Sequence, residues 1–274
     1  MPPGASRPRS PHPSNRPPHS GRPRIIISNT WRSMAEAARS DSEGDPPKLI
    51  LVRHGQASLG SDDYDRLSER GHRQAERVAD RLSAAITERS PLWSGTLLRH
   101  RQTLAPLAGS DEANVLLTED LNEFSTYGLV RAAVRQAERL GLDLPPRHQL
   151  ADPVMHLDVL LAWFPRVMAA WQDETLEGTE IGSWSAFRER VLRARGQWEA
   201  CLRSGQSVIV VTSAGVISTV VAALSGCDLA RQRELAVNLY NASVSELSLV
   251  EGAWQIETCN CTRHLEADGL RTLA

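Results

Sequence analysis

Hydrophobic and polar positions change character at about residue 48. Beyond it, apolar runs of strand length alternate with stretches whose apolar residues recur at helical spacing. Residues 48–52, KLILV, follow Pro46 and Pro47 and read as a first strand. Ser68 stands where it can cap a helix over 69–86, with Ala75, Val78, Ala79 and Leu82 on one face. Residues 91–93 read as a second short strand, and helical spacing resumes over about 97–107. Residues 129–140 are amphipathic and stop at Gly141. The spacing predicts further helices over 154–171 and 184–202. Residues 207–211, SVIVV, carry the strongest strand signal. A helix over 214–224 follows, closed by Gly226. Residues 243–249 and 254–258 alternate as antiparallel strands do. The whole predicts one α/β domain over 48–274, a three-layer sandwich with a mostly parallel, mixed central sheet flanked by helices. No internal repeat is present.

The first 33 residues differ from the rest. They hold eight of the 16 prolines and six arginines, and no acid. Such a segment buries too little apolar surface to offset its ordering entropy, so 1–47 reads as a disordered arm. It has no apolar core of the kind a secretory signal needs, and its proline density argues against an amphipathic transit helix. A true translation start at Met34 would account for it equally well.

The 274 residues, 41% apolar, suffice for a sizeable core. A net charge of -2 gives no reason to expect nucleic acid or an anionic membrane as partner. No apolar run reaches the ~18 residues of a membrane span. Four cysteines without framework spacing read as reduced thiols of a cytoplasmic protein. Cys259, Cys261 and His264 could be taken for metal ligands, but three ligands without a nearby fourth argue against a metal site. Oligomeric state is not legible.

Open α/β sheets bind ligands at the C-terminal ends of their strands. The first strand runs into Arg53-His54-Gly55-Gln56. An arginine fork grips phosphate oxygens in pairs. A neutral, oriented imidazole beside it can attack phosphorus. Glycine lets the backbone come close to the anion. Arg99, near the start of the helix after the second strand, could reach the same phosphate, with the helix N-terminus adding positive potential. His100 and Arg101 read as part of a solvated basic face.

These pieces, in this order, resemble the histidine phosphatase superfamily, which includes the phosphoglycerate mutases. The matching residues are Leu51–Ser58, Leu67-Ser68 with Gly71 and Gln74-Ala75, Trp93-Ser94 with Leu97 and Arg99 through Thr103, Leu121-Asn122-Glu123, and Phe187 with Arg190-Val191. The resemblance implies a phosphomonoester hydrolase acting on a small phosphorylated substrate through a phosphohistidine on His54. Arg53 and Arg99 would hold phosphoryl oxygens, with Gly55, Gln56, Ser213 and Ala214 also lining the site. Glu123 would protonate the leaving oxygen. No cofactor or metal is implied. Substrate choice would lie in 124–184, whose Arg131, Arg135, Arg139, Arg147 and Arg166 read mainly as solvated helix faces.

The pattern breaks at one place. The family sets a second histidine after the last core strand, and this chain has Ser213 there, followed by Ala214 and Gly215. A neutral hydroxyl donates roughly half as strongly as an imidazolium. No other histidine follows a strand in the right context. His100 is next to Arg99, but one residue along a helix turns a side chain by roughly 100°. Restoring histidine by Ser213→His is therefore expected to speed hydrolysis. Three alternatives stay open. One is an impaired domain that binds a phosphorylated ligand without turning it over. Another is a phosphoglycerate mutase-type phosphotransferase. The third treats Ser213 as a nucleophile-elbow serine, with Glu246 or Glu251 and His264 as partners.

Overall fold

Strand β1 (Lys48–Arg53) is buried along both faces, and its side chains alternate between two separate cores. Leu49 and Leu51 enter one core, and Ile50 and Val52 enter the other. A strand covered on both faces reads as a continuous apolar run, which is why KLILV shows no polar alternation. The computed structural model describes residues 46–58, 65–86, 90–109, 113–152 and 155–273. The expected N-terminal arm up to residue 45 and the alternative start at Met34 lie outside the described residues, which all fall in one unit, Ala38–Ala274.

Five more strands complete the sheet: β2 (Leu92–Ser94), β3 (Val115–Leu117), β4 (Val208–Thr212), β5 (Val244–Val250) and β6 (Ala253–Cys261). Their order is β3-β2-β4-β1-β5-β6. The first four of that order are parallel, and β5 and β6 add an antiparallel edge. The expected mixed, mostly parallel sheet is thus present. β4 enters between β1 and β2, so Val208–Thr212 pairs with Leu49–Arg53 on one side and Ile209–Val211 with Leu92–Ser94 on the other.

Helices form the outer layers. On the side of Ile50 and Val52, helix α1 (Glu69–Leu82) brings Val78 and Leu82, and α2 (Leu98–Ala108) brings Leu104 and Leu107. Ser68 caps α1 as expected, its hydroxyl accepting the Gly71 N–H. The opposite layer holds α3 (Thr126–Arg135), α4 (Ala137–Leu140), α5 (Arg147–Ala151), α6 (Leu157–Gln172), α7 (Trp184–Leu192), α8 (Arg195–Arg203), α9 (Ala214–Ser225) and α10 (Leu229–Asn238). Its core is aromatic, built around Trp163, Trp171, Trp184, Phe187 and Trp198. A last short helix, α11 (Arg263–Glu266), inserts Leu265 into the α1 and α2 side.

Three expectations shift. The helix expected over 184–202 is two helices, α7 and α8, parted at Arg193 and Ala194. The helix expected over 129–140 starts earlier, where Ser125 caps Gly128, and divides at Gln136. β3 and α10 had no sequence signal: β3 has three residues and is mainly exposed, and α10 buries only Gln232.

Leu51→Ala should lower the unfolding free energy by ~2–5 kcal/mol, because Leu51 is fully buried between helices and neighbouring strands. Urea denaturation followed by tryptophan fluorescence measures it.

Candidate active site

β1, β2 and β4 run parallel, so their C-terminal ends lie at one edge of the sheet. The residues that follow them are His54, Gly95 and Ser213. Backbone bonds continue the ladder past the strands: His54 N–H donates to the Thr212 carbonyl at 2.8 Å, and Gly95 N–H to that of Val211 at 3.2 Å. Three segments far apart in sequence therefore meet in one crevice, where such sheets bind ligands.

His54 is buried, and its Nδ1 lies 2.7 Å from the Gly55 carbonyl oxygen. A carbonyl only accepts, so Nδ1 carries the proton and Nε2 keeps its lone pair. Arg53 directs Nη1 to the carbonyls of Leu239 and Leu273, the latter at 2.7 Å. The C-terminal segment is thereby tied to the end of β1. Arg99 pairs with Asp65 at 2.6 Å, and the second carboxylate oxygen of Asp65 accepts the Leu98 N–H at 2.8 Å. Asp65 thus does the capping of α2 that Leu97, at the N-cap position, cannot do.

Glu123 reaches the start of α9. Its Oε2 accepts the Gly215 N–H at 2.8 Å, and its Oε1 that of Phe124 at 3.2 Å. A Cβ on residue 215 would stand 2.3 Å from Glu123 Oε1, so only glycine leaves room for the carboxylate. Phe124 meets Trp171 and Phe187 edge-on, with ring centroids at 5.1 and 5.3 Å. This apolar wall lies next to the carboxylate in sequence.

The other expected residues play more local parts. Gly55 makes way for protein rather than for a ligand, because a Cβ there would come 2.5 Å from the Gly71 carbonyl oxygen. Gln56 fastens the loop to α1: its N–H donates to Gln74 Oε1 at 2.7 Å, and its own Oε1 accepts from Ser68 at 3.1 Å. Ala214 opens α9. Ser213 sits at the N-cap, but its hydroxyl does not cap the helix. It bonds His100 Nε2 at 2.6 Å instead.

His100 is the correction to the sequence reading. It is 0% exposed, not part of a solvated face. The ~100° step from Arg99 is what sends it inward: Arg99 and His100 leave the first turn of α2 in different directions, and both end at the sheet edge. The two imidazoles, His54 and His100, have ring centroids 5.6 Å apart. Asp65 was also missed, and Gln74 and Thr103, which carry part of the resemblance, had been given no part in the site. Thr103 accepts the Gly55 N–H at 3.0 Å and donates to the Arg99 carbonyl at 2.7 Å, joining the two arginine segments.

The family model described as histidine phosphatase superfamily (branch 1) matches residues 49–149 and 158–262. The chain belongs to the histidine phosphatase superfamily. Solved structures of the same fold include the alpha-ribazole phosphatase of Shigella flexneri, at 18% identity and TM-score 0.54, covering 78% of this chain and 96% of that one. A mycobacterial glucosyl-3-phosphoglycerate phosphatase complexed with VO3 aligns at 20% identity and TM-score 0.54, covering 79% and 100%. The phosphoserine phosphatase of Entamoeba histolytica, complexed with 3-phosphoglyceric acid, aligns at 19% identity and TM-score 0.54, covering 80% and 99%. No curated protein matches.

In this histidine phosphatase chain, the site holds its histidines neutral and its acid protonatable. Burial, then the charges of Arg53 and Arg99, pushes His54 well below its usual value. Burial and Arg99 do the same to His100. Burial raises Glu123, against the opposing pull of the Gly215 N–H and the arginines. His264, the histidine of the serine-nucleophile alternative, bonds the Ala242 carbonyl at 3.0 Å and lies near Arg81; burial takes it to about 4. Cys259, one of the conceivable metal ligands, accepts the Ser245 hydroxyl at 3.8 Å. Of the arginines in 124–184, Arg135, Arg139 and Arg166 face Glu180, Glu177 and Asp143 at exposed positions. No helix among the described residues is long and apolar enough to cross a membrane.

His54, His100 and His264 have depressed folded-state values, so the unfolded chain binds more protons as pH falls below about 6.5. Their contribution is fully favourable above that pH and is lost below it. The raised Glu123 acts the opposite way, but it is one group against three, so the urea midpoint should fall as the pH is lowered from 7.5 to 5.5. A midpoint that rises over this range would contradict the burial of neutral imidazoles.

Proposed function

We propose that the chain is a phosphomonoester hydrolase that works through a phosphohistidine on His54. The observation that carries this reading is the Nδ1 bond to the Gly55 carbonyl, which leaves the Nε2 lone pair as nucleophile in a buried site flanked by two arginines. His54 Nε2 attacks phosphorus and the ester P–O bond breaks. Glu123, protonated, gives its proton to the departing oxygen. Glu123 carboxylate then takes a proton from water, hydroxide attacks phosphorus, and the P–N bond breaks to release phosphate. His54 returns to its neutral form, with Nδ1–H held by Gly55 throughout. Arg53, Arg99 and the N-terminus of α9 offset the charge on the phosphoryl oxygens.

The substrate is a small phosphorylated molecule. The related structures named above are phosphatases of such molecules, which supports this reading. The four cysteines are free, in keeping with a reducing cytoplasm.

Purified protein given 4-nitrophenyl phosphate should release nitrophenol and accumulate an acid-labile phosphoenzyme. His54→Ala should abolish both, with a loss of at least about a thousandfold in turnover. Turnover that survives this change would remove His54 as nucleophile.

The pH profile follows from the two shifts. Activity needs His54 neutral and Glu123 protonated, so kcat/KM should rise as pH passes the depressed His54 value and fall as it passes the raised Glu123 value. Glu123→Gln should lower kcat by roughly 100- to 10,000-fold and remove the alkaline limb. An alkaline limb unchanged in that variant would assign it to another group.

A further inference from the structure

The pair formed by Ser213 and His100 has no role in the steps above, and its geometry is costly unless it has one. Ser213 is 1% exposed and His100 0%. Serine at an N-cap ordinarily accepts a helix N–H, but Ser213 forgoes this and Glu123 takes the Gly215 N–H instead. The Ser213 hydroxyl is thereby left for His100. His100 Nδ1 finds no hydrogen-bond partner among the described residues. A buried N–H without an acceptor is rarer than a buried lone pair without a donor. The proton therefore belongs on Nε2, which donates to Ser213 Oγ at 2.6 Å. Among the described residues that is the only hydrogen bond of the Ser213 side chain, so its own proton is available to a further acceptor. The seat for the imidazole is cut by Gly95, where a Cβ would stand 2.2 Å from Nδ1. Beside this pair lies His54, 5.6 Å away between ring centroids.

We propose that Ser213 donates its hydroxyl proton to a phosphoryl oxygen during attack by His54, and that His100 is the positioning residue that orients and polarises this hydroxyl from behind. The inference rests on the hydrolase reading above. The chain N–H···O–H···O–P strengthens cooperatively where both residues are buried. An imidazole thus serves the site at the position where the sequence shows serine, but it comes from α2 rather than from the end of β4. This reverses the expectation for Ser213→His: an imidazole at 213 would fall on His100 and slow the reaction.

The test uses kcat and KM for 4-nitrophenyl phosphate and affinity for inorganic phosphate, with melting curves to confirm folding. Ser213→Ala and His100→Ala should each lower kcat about 100-fold, the loss typical of one transition-state donor, with KM changed less than about threefold. The double variant should be no slower than either single one, because the two groups act as a unit. His100→Gln, whose amide can still donate to Ser213, should recover at least about tenfold over His100→Ala. Ser213→His combined with His100→Ala should likewise exceed His100→Ala, whereas Ser213→His alone should not exceed the parent protein. Parental kcat in His100→Ala, or losses that multiply in the double variant, would overturn the inference and leave the hydrolase reading standing. If the parent protein hydrolyses no aryl phosphate, the hydrolase reading falls, and the inference, which rests on it, falls with it. A parent protein that does not bind phosphate at all overturns both.

Discussion

The ladder between β1 and β4 is the constraint from which the site follows. It places Leu49 through Arg53 opposite Val208 through Thr212 without a break, and the His54 N–H extends it to the Thr212 carbonyl. Parallel pairing gives both strands the same direction, so the residues that leave them, His54 and Ser213, emerge at the same edge. A slip of one residue would exchange the two apolar cores and turn His54 away from the crevice. The side chains of these strands are almost all fully buried, which holds the register against such a slip.

Charge balance in the crevice is set by what is withheld from water. The arginines bring positive charge, and an imidazolium beside them would add to it. Burial and these same arginines keep His54 and His100 neutral. The counter-charge to Arg99 is the Asp65 carboxylate, and two acids in the crevice also do structural work. Asp65 caps α2 while holding Arg99, and Glu123 caps α9 from outside. Each acid replaces a local cap, since Leu97 has no side chain for the task and Ser213 is engaged elsewhere. The helix N-termini are thus tied to the residues that handle the anion, which couples correct folding to correct electrostatics.

The sequence made the strand and helix alternation legible because buried strands and amphipathic helices carry strong periodic signals. Arg53, His54 and Arg99 could be picked out because each sits at the end or start of such an element, Glu123 and Ser213 because of the family resemblance, and the structure gathers their segments at one edge. What was not legible depends on contacts between distant segments. Asp65 has no local pattern that predicts an ion pair with Arg99. β3 and α10 bury too little to show a period. No proline or glycine stands at Gln136, Arg193 or Ala194 themselves, so the helix breaks there do not show in the sequence. The one available hint to Asp65 was negative: a helix start at Leu98 with no capping residue before it demands a cap from elsewhere.

His100 shows why a motif and a site are different objects. Read along the chain, position 213 lacks an imidazole and the site looks incomplete. Read in space, an imidazole reaches that position from another helix and bonds the serine there. The serine at 213 and the histidine at 100 are then parts of one arrangement, joined by the 2.6 Å bond between Oγ and Nε2. Gly95 belongs to the same set, since any side chain there would occupy the place of the imidazole. Three positions on three segments have to agree for the pair to form. Agreement of that kind is a stronger sign of a working group than any one residue, because each of the three positions by itself has an ordinary packing explanation.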